Sequence, residues 1–84
     1  MYYIYIIQSL DDDSYYVGYT SDLRKRFQEH NQGLSRYTSK KLPWNLVFYE
    51  VLITKSEAIK REKYIKRQKS REFINALILN SKEK

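Results

Sequence analysis

Residues 2–20 read Tyr2-Tyr3-Ile4-Tyr5-Ile6-Ile7-Gln8-Ser9-Leu10-Asp11-Asp12-Asp13-Ser14-Tyr15-Tyr16-Val17-Gly18-Tyr19-Thr20. Two runs rich in aromatic and β-branched residues, Tyr2–Ser9 and Ser14–Thr20, flank a triple aspartate whose side chains hydrogen-bond nearby backbone and favour a turn. The pattern predicts an antiparallel hairpin. If Ser9 pairs with Ser14 across a four-residue loop, paired numbers sum to 23, so Tyr5 faces Gly18 and Ile7 faces Tyr16. Alternation along a strand then places Tyr5, Ile7, Tyr16 and Gly18 on one face.

Working outward, Ser21 or Asp22 can cap a helix over residues 22–32, and Gly33 suits the left-handed position after its end. On a helical projection Leu23 and Phe27 are neighbours in an apolar stripe, His30 falls just to the other side of Leu23, and Arg26 lies a little further round in the same direction. Arg26 and His30 thus share one edge of the stripe. Residues 33–43 show no sustained period and read as a basic loop carrying Arg36, Lys40, Lys41 and Tyr37. Residues 44–53 form a near-continuous apolar run, which predicts a strand buried on both faces. Thr54-Lys55-Ser56-Glu57 fits a capping box ahead of a helix from 55 to about 68, and Ser70 can cap a last helix to about 79. The expected order is ββαβαα, an α+β fold.

A chain of 84 residues has room for one hydrophobic core, expected over residues 1–80 with a frayed tail at 81–84. No apolar run reaches the length of a membrane span and no signal peptide is visible, so no membrane partner is expected. The chain has no cysteine, which excludes disulfides, thiolate zinc sites and thiol catalysis, and fits a cytoplasmic location. Sixteen Lys and Arg against ten Asp and Glu give a net charge of +6, a balance that points to a polyanion partner. The excess is confined to one part: residues 1–20 hold three Asp and no basic side chain, and every Lys and Arg follows residue 20.

Three features stand out chemically. In the helix from 55, Glu62 projects between Ala58 and the neighbouring apolar positions, on the same side as Ile65, so a carboxylate sits inside an apolar arc. Such a charge needs a partner, either Arg26 or a nearby Lys, or else a Mg²⁺ ion, which often takes one or two protein carboxylates and keeps its waters. Arg26 and His30, on the rim of the first helix's stripe, either snorkel and cap or point at a site. Tyr5 and Tyr16 are ordinary core aromatics, unless a bare Gly18 beside them leaves a pocket where phenols meet a ligand.

Tyr3-Ile4-Tyr5, Tyr16-Val17-Gly18, Thr20-x-x-Leu23-x-x-Arg26-x-x-x-His30-Asn31-x-Gly33, Pro43-Trp44-x-Leu46-Val47 and Glu57-Ala58-x-x-x-Glu62 together resemble the GIY-YIG nuclease superfamily. The likeness is to its small stand-alone bacterial members, and also to the N-terminal nuclease domain of the excision-repair incision subunit. It implies a three-stranded antiparallel sheet flanked by helices and a metal-dependent endonuclease that cleaves DNA phosphodiesters, in repair or recombination. By position, Tyr5 and Tyr16 match the motif tyrosines, Arg26 the essential arginine, His30 a histidine found in several members, and Glu62 the ligand of one Mg²⁺ or Mn²⁺. In the family scheme Tyr16 accepts a proton from the attacking water, Tyr5 and His30 orient groups around it, and Arg26 stabilises charge on the phosphate.

A free phenol titrates near pH 10, so Tyr16 needs positive charge beside it, and cleavage is expected to rise between about pH 7 and 9. Arg36, Tyr37, Lys40 and Lys41 are the expected nucleic-acid contacts, with Tyr37 able to stack on a splayed base. The pattern is also broken in places. Tyr3 replaces the first glycine, Tyr19 stands where the repair enzymes carry a lysine, and the family's later asparagine has no clear match, Asn75 being near it only in number. The alternative is therefore a catalytically weak or inactive nucleic-acid-binding module of the same fold. In either case sequence specificity is expected to be low or borrowed from a protein partner.

Overall fold

In the computed structural model, which describes residues 1–82, strand β1 (Tyr2–Ser9) lies between β2 (Tyr15–Thr20) and β3 (Trp44–Leu52) in an antiparallel sheet ordered β2-β1-β3. Three helices complete an α+β fold of order ββαβαα: α1 (Leu23–Asn31), α2 (Lys55–Gln68) and α3 (Arg71–Lys82). The hairpin has the expected register, with Tyr5 opposite Gly18 and Ile7 opposite Tyr16, closed by the Ser9 amide donating to the Ser14 carbonyl at 2.8 Å. Asp13 takes a left-handed φ of 63°, which aspartate tolerates better than most residues.

The central position of β1 explains its composition. Ile4 and Ile6 pack with Val17, Ala58 and Ile65 on one face, under α2 and α3, while Tyr5 and Ile7 pack with Trp44, Leu23 and Phe27 on the other, under α1. Both faces are covered, so the middle of the strand, Ile4–Ile7, is apolar on both sides. Each fully buried isoleucine contributes about 1.5–3 kcal/mol, which makes this strand the place where truncation costs most.

The expectation that the strand at 44–53 is buried on both faces is wrong. β3 is an edge strand, and Tyr49 and Val51 are exposed on it. Its apolar run has another cause: the register shifts between Ile6 and Ile7, so Val47 is an extra residue, and both Val47 and Phe48 turn to the α2 face.

The helices begin where their caps require. Asp22 accepts from the Lys25 amide, Thr54 from the Glu57 amide and Ser70 from the Phe73 amide, while Gly33 adopts a φ of 77° after α1. In the capping box the Glu57 carboxylate accepts from the Thr54 hydroxyl rather than reaching its backbone. Helix α3 runs past the expected end at 79 to Lys82, so residues 81 and 82 are helical; the rest of the expected tail, 83–84, lies outside the described residues. The basic segment 33–43 is largely loop, with a single 3₁₀ turn at Thr38–Lys40. Among the described residues no helix is long and apolar enough to cross a membrane.

Gly18 is required by what it faces. A Cβ there would lie 2.5 Å from the Tyr5 hydroxyl oxygen and 2.7 Å from Cζ, so the buried Tyr5 ring would have to shift. Gly18→Ala is expected to cost about 1–3 kcal/mol, as overpacking does, read as a lower urea midpoint at unchanged m-value. A change below about 0.5 kcal/mol would show that the ring yields freely.

Candidate active site

Tyr5 projects from the buried middle of β1, Tyr16 from β2 two residues before the glycine, and His30 from the last turn of α1. The three rings form a cluster: the Tyr5 hydroxyl is 2.8 Å from His30 Nε2, and the Tyr16 ring meets the His30 ring edge-on at 5.2 Å between centroids. Arg26, one turn before His30, sets its guanidinium beside the Tyr5 hydroxyl and pairs with Glu29 at 3.2 Å. The α1 rim positions Arg26 and His30 thus point at a common site. Asn31 holds that helix end to the sheet, accepting from the Trp44 amide at 2.7 Å and donating to its carbonyl at 3.0 Å.

Burial sets the protonation states. It pushes the Tyr5 phenol up to about 12, against the pull of Arg26 and with help from Tyr16 and Glu62. It also brings His30 down to about 4, with the Arg26 charge acting in the same direction and Glu29 opposing. Burial works against the Arg26 charge too, but hydrogen bonds to Tyr5 and Glu29 outweigh it and raise its pKa. At neutral pH the cluster is therefore a neutral phenol and a neutral imidazole beside a fixed cation.

Glu62 comes from α2, its side chain only 18% exposed, and pairs at 3.4 Å with Lys66 one turn on. The Lys66 ammonium also lies 5.9 Å from the Tyr16 ring centre, which sets the Glu62–Lys66 pair beside that ring. Of the partners expected for Glu62, it is a lysine and not Arg26 that pairs with it. Among the described residues no three His, Cys, Asp or Glu side chains gather, so a site built from several protein ligands is not present there. One nearly buried carboxylate beside an exchangeable, half-exposed lysine fits Mg²⁺, which needs few protein ligands.

The cleft, about 350 Å³, is lined by Tyr16, Tyr37, Lys66, Lys69 and Ser70 among others. Tyr37 is 62% exposed and rests on Tyr16 with centroids 5.7 Å apart, so its outer face is open to solvent. It also borders a second concavity with Arg36, Lys40 and Lys41. Lys41 is partly occupied: its ammonium pairs with Asp12 at 3.4 Å, and hydrogen bonds from the Ser14 hydroxyl and amide hold that carboxyl down at about 2. Asn75 stands apart from the cluster, accepting from the Tyr15 hydroxyl at 2.6 Å. Arg61, a basic residue of α2, is paired with Glu50 of β3.

Sequence reasoning missed Thr38 and the double engagement of Lys66. Thr38 is fully buried, and its hydroxyl is 2.7 Å from His30 Nδ1. A threonine following a tyrosine in an irregular basic loop carries no periodic signal; for Lys66, its i,i+4 spacing from Glu62 was the available clue.

Residues 1–75 match the GIY-YIG catalytic domain. The chain belongs to the GIY-YIG family. It is 45% identical over 78 residues to a UPF0213 protein of Staphylococcus saprophyticus, covering 88% of this chain and 94% of that one. A UPF0213 protein of Streptococcus pyogenes is 40% identical over 70 residues, 82% of this chain and 75% of the relative. The solution structure of a UPF0213 protein from Bacillus halodurans is similar in fold, with a TM-score of 0.59, 34% identity, and coverage of 93% of this chain and 83% of that one. In this GIY-YIG chain the two name-giving tripeptides, Tyr3-Ile4-Tyr5 and Tyr16-Val17-Gly18, are the cross-strand neighbours that build the cluster.

His30 makes stability depend on pH. Its folded value, about 4, lies below the ordinary 6.5, so the unfolded chain binds the extra proton between those pH values. Its contribution is complete above about pH 6.5 and is lost as the pH falls towards 4, a loss on the order of 3 kcal/mol. Urea titrations of the wild type and His30→Gln across that window are expected to converge as the pH drops. Parallel curves would refute a buried neutral His30.

Proposed function

We propose that this chain is a metal-dependent endonuclease that hydrolyses phosphodiester bonds, with DNA as the substrate and repair or recombination as its setting. The observation that carries the reading is the cluster of Tyr5, Tyr16 and His30, with Arg26 beside Tyr5 and the Glu62–Lys66 pair beside Tyr16. Tyr16, having first given up its own proton to solvent, takes the proton of the attacking water as the phenolate. The water oxygen forms the new bond to phosphorus as the bond to the leaving oxygen breaks, and that oxygen takes a proton from solvent. Tyr5 and His30 orient groups around that water. Arg26 supplies fixed positive charge where the phosphate gains negative charge.

Glu62 is the residue that would hold Mg²⁺ or Mn²⁺, and a bound ion provides Lewis acidity towards the phosphate and the leaving oxygen. Arg36, Tyr37, Lys40 and Lys41 form the flanking contact surface, with the open face of Tyr37 available to an unpaired base. This favours flaps, branches or single strands over continuous duplex. A separate protein partner supplies sequence specificity, and a cysteine-free chain fits the cytoplasm.

A second reading, a nucleic-acid-binding module with weak or no cleavage, is favoured by two contacts. Glu62 is neutralised by Lys66, and Asn75 is engaged by Tyr15 away from the cluster.

Nicking of plasmid and branched DNA in Mg²⁺ or Mn²⁺, compared with an Arg26→Ala/Glu62→Ala double variant, separates the two readings. The nuclease is expected to lose at least about 10²–10³-fold in rate in the double variant, the order seen when one charge-stabilising donor is removed. Binding that survives with no cleavage by the wild type would select the module. Unchanged activity in Tyr16→Phe would reject the assignment of Tyr16 as the base.

Binding itself is expected to depend on salt. With six or more phosphates contacted, affinity should fall about 10³-fold or more between about 50 and 200 mM salt. A flat response would argue against a phosphate track in which Arg36, Lys40 and Lys41 are joined by the basic residues of 60–69.

A further inference from the structure

Both nitrogens of the His30 ring have hydroxyl partners, Tyr5 on Nε2 at 2.8 Å and Thr38 on Nδ1 at 2.7 Å, and all three residues are buried. Thr38 is itself anchored, because its backbone carbonyl accepts from the Trp44 indole at 2.8 Å. Burial keeps the ring uncharged at neutral pH, so it has one N–H and one lone pair to divide between the two hydroxyls.

Two arguments settle the division. The phenol is a far stronger acid than an aliphatic hydroxyl, and so the better donor to an imidazole lone pair. Arg26 also pulls the Tyr5 phenol towards losing its proton, and a cation beside an O–H makes it the better donor.

We propose that Thr38 is a positioning residue whose hydroxyl accepts from His30 Nδ1–H, leaving Nε2 bare to accept the Tyr5 proton and turning the Tyr5 lone pairs away from the ring, towards the Arg26 side. The tautomer follows from the two short contacts and the acidity of the phenol; its catalytic consequence rests on the nuclease reading. Held this way, Tyr5 presents an acceptor to the attacking water. In the opposite tautomer it would receive Nε2–H and present a donor. Thr38 also immediately follows Tyr37, so the segment proposed to meet nucleic acid is continuous with the residue that sets the ring.

His30 is the single histidine of the chain, so one ring accounts for the whole imidazole signal. Long-range ¹H–¹⁵N spectra of substrate-free protein at neutral pH are expected to show a protonated Nδ1 and a bare Nε2. Thr38→Ser is expected to keep that pattern, and Thr38→Val to lose it.

In the cleavage assay, Thr38→Val is expected to lower kcat about ten- to a hundredfold with KM little changed, and Thr38→Ser to restore it. A protonated Nε2 in the wild type, or an unchanged tautomer in Thr38→Val, would overturn the proposal. If Thr38→Val does not fold, the wild-type and Thr38→Ser spectra still decide it. A protein that cleaves nothing yet shows the expected tautomer would refute the nuclease reading and leave the assignment of Thr38 to His30 standing.

Discussion

The Tyr5 ring lies in the space that any side chain at residue 18 would fill, and the site is arranged around that close approach. Because Gly18 has no Cβ, a bulky aromatic on the central strand can lie across its neighbour and carry its hydroxyl to His30 on a helix. The same face must then be closed by aromatics, and Tyr16, Phe27 and Trp44 do so. The packing that stabilises this half of the core and the geometry of the cluster are therefore one arrangement. A change that loosens one loosens the other.

Local signals were strong enough to show the hairpin, its register, the three helix starts and the left-handed Gly33 in the sequence. Each depends on residues close in the chain: a turn between two strands, a capping oxygen two or three residues from its amide, a glycine just past a helix. The placement of β3 was not legible in the same way. Its apolar run reads like a central strand, and only the pairing with β1 shows that Val47 is an inserted residue and the strand an edge. Thr38 was hidden for a related reason, since its importance comes from a ring eight residues away whose other nitrogen is held by a third element.

Charge was legible as a total and in its division at residue 20, but not in its pairing. The surplus of basic residues suggests a surface prepared for phosphate, but Lys41, Arg61 and Lys66 are each matched to a carboxylate, namely Asp12, Glu50 and Glu62. The hairpin that carries the early acidic residues thus folds back on the basic loop that follows α1. Half-exposed pairs of this kind contribute about 0–1 kcal/mol, so they restrain side chains without strongly opposing their release. A polyanion arriving at the cleft would compete with Asp12 for Lys41, whereas Arg61 is tied to the edge strand by a two-point contact with Glu50.

That difference bears on how Glu62 would serve the proposed cation site. Glu62 is mostly covered, and a bare carboxylate there would be costly, so the folded chain needs a positive group beside it. Lys66 meets that need from the same helix, on a long side chain that is half exposed and free to swing into solvent. Had the counter-charge been Arg26, displacing it would also have removed the guanidinium that faces Tyr5. Pairing Glu62 with Lys66 instead leaves Arg26 in place, so the carboxylate can change partners while the phenol, imidazole and guanidinium keep their arrangement.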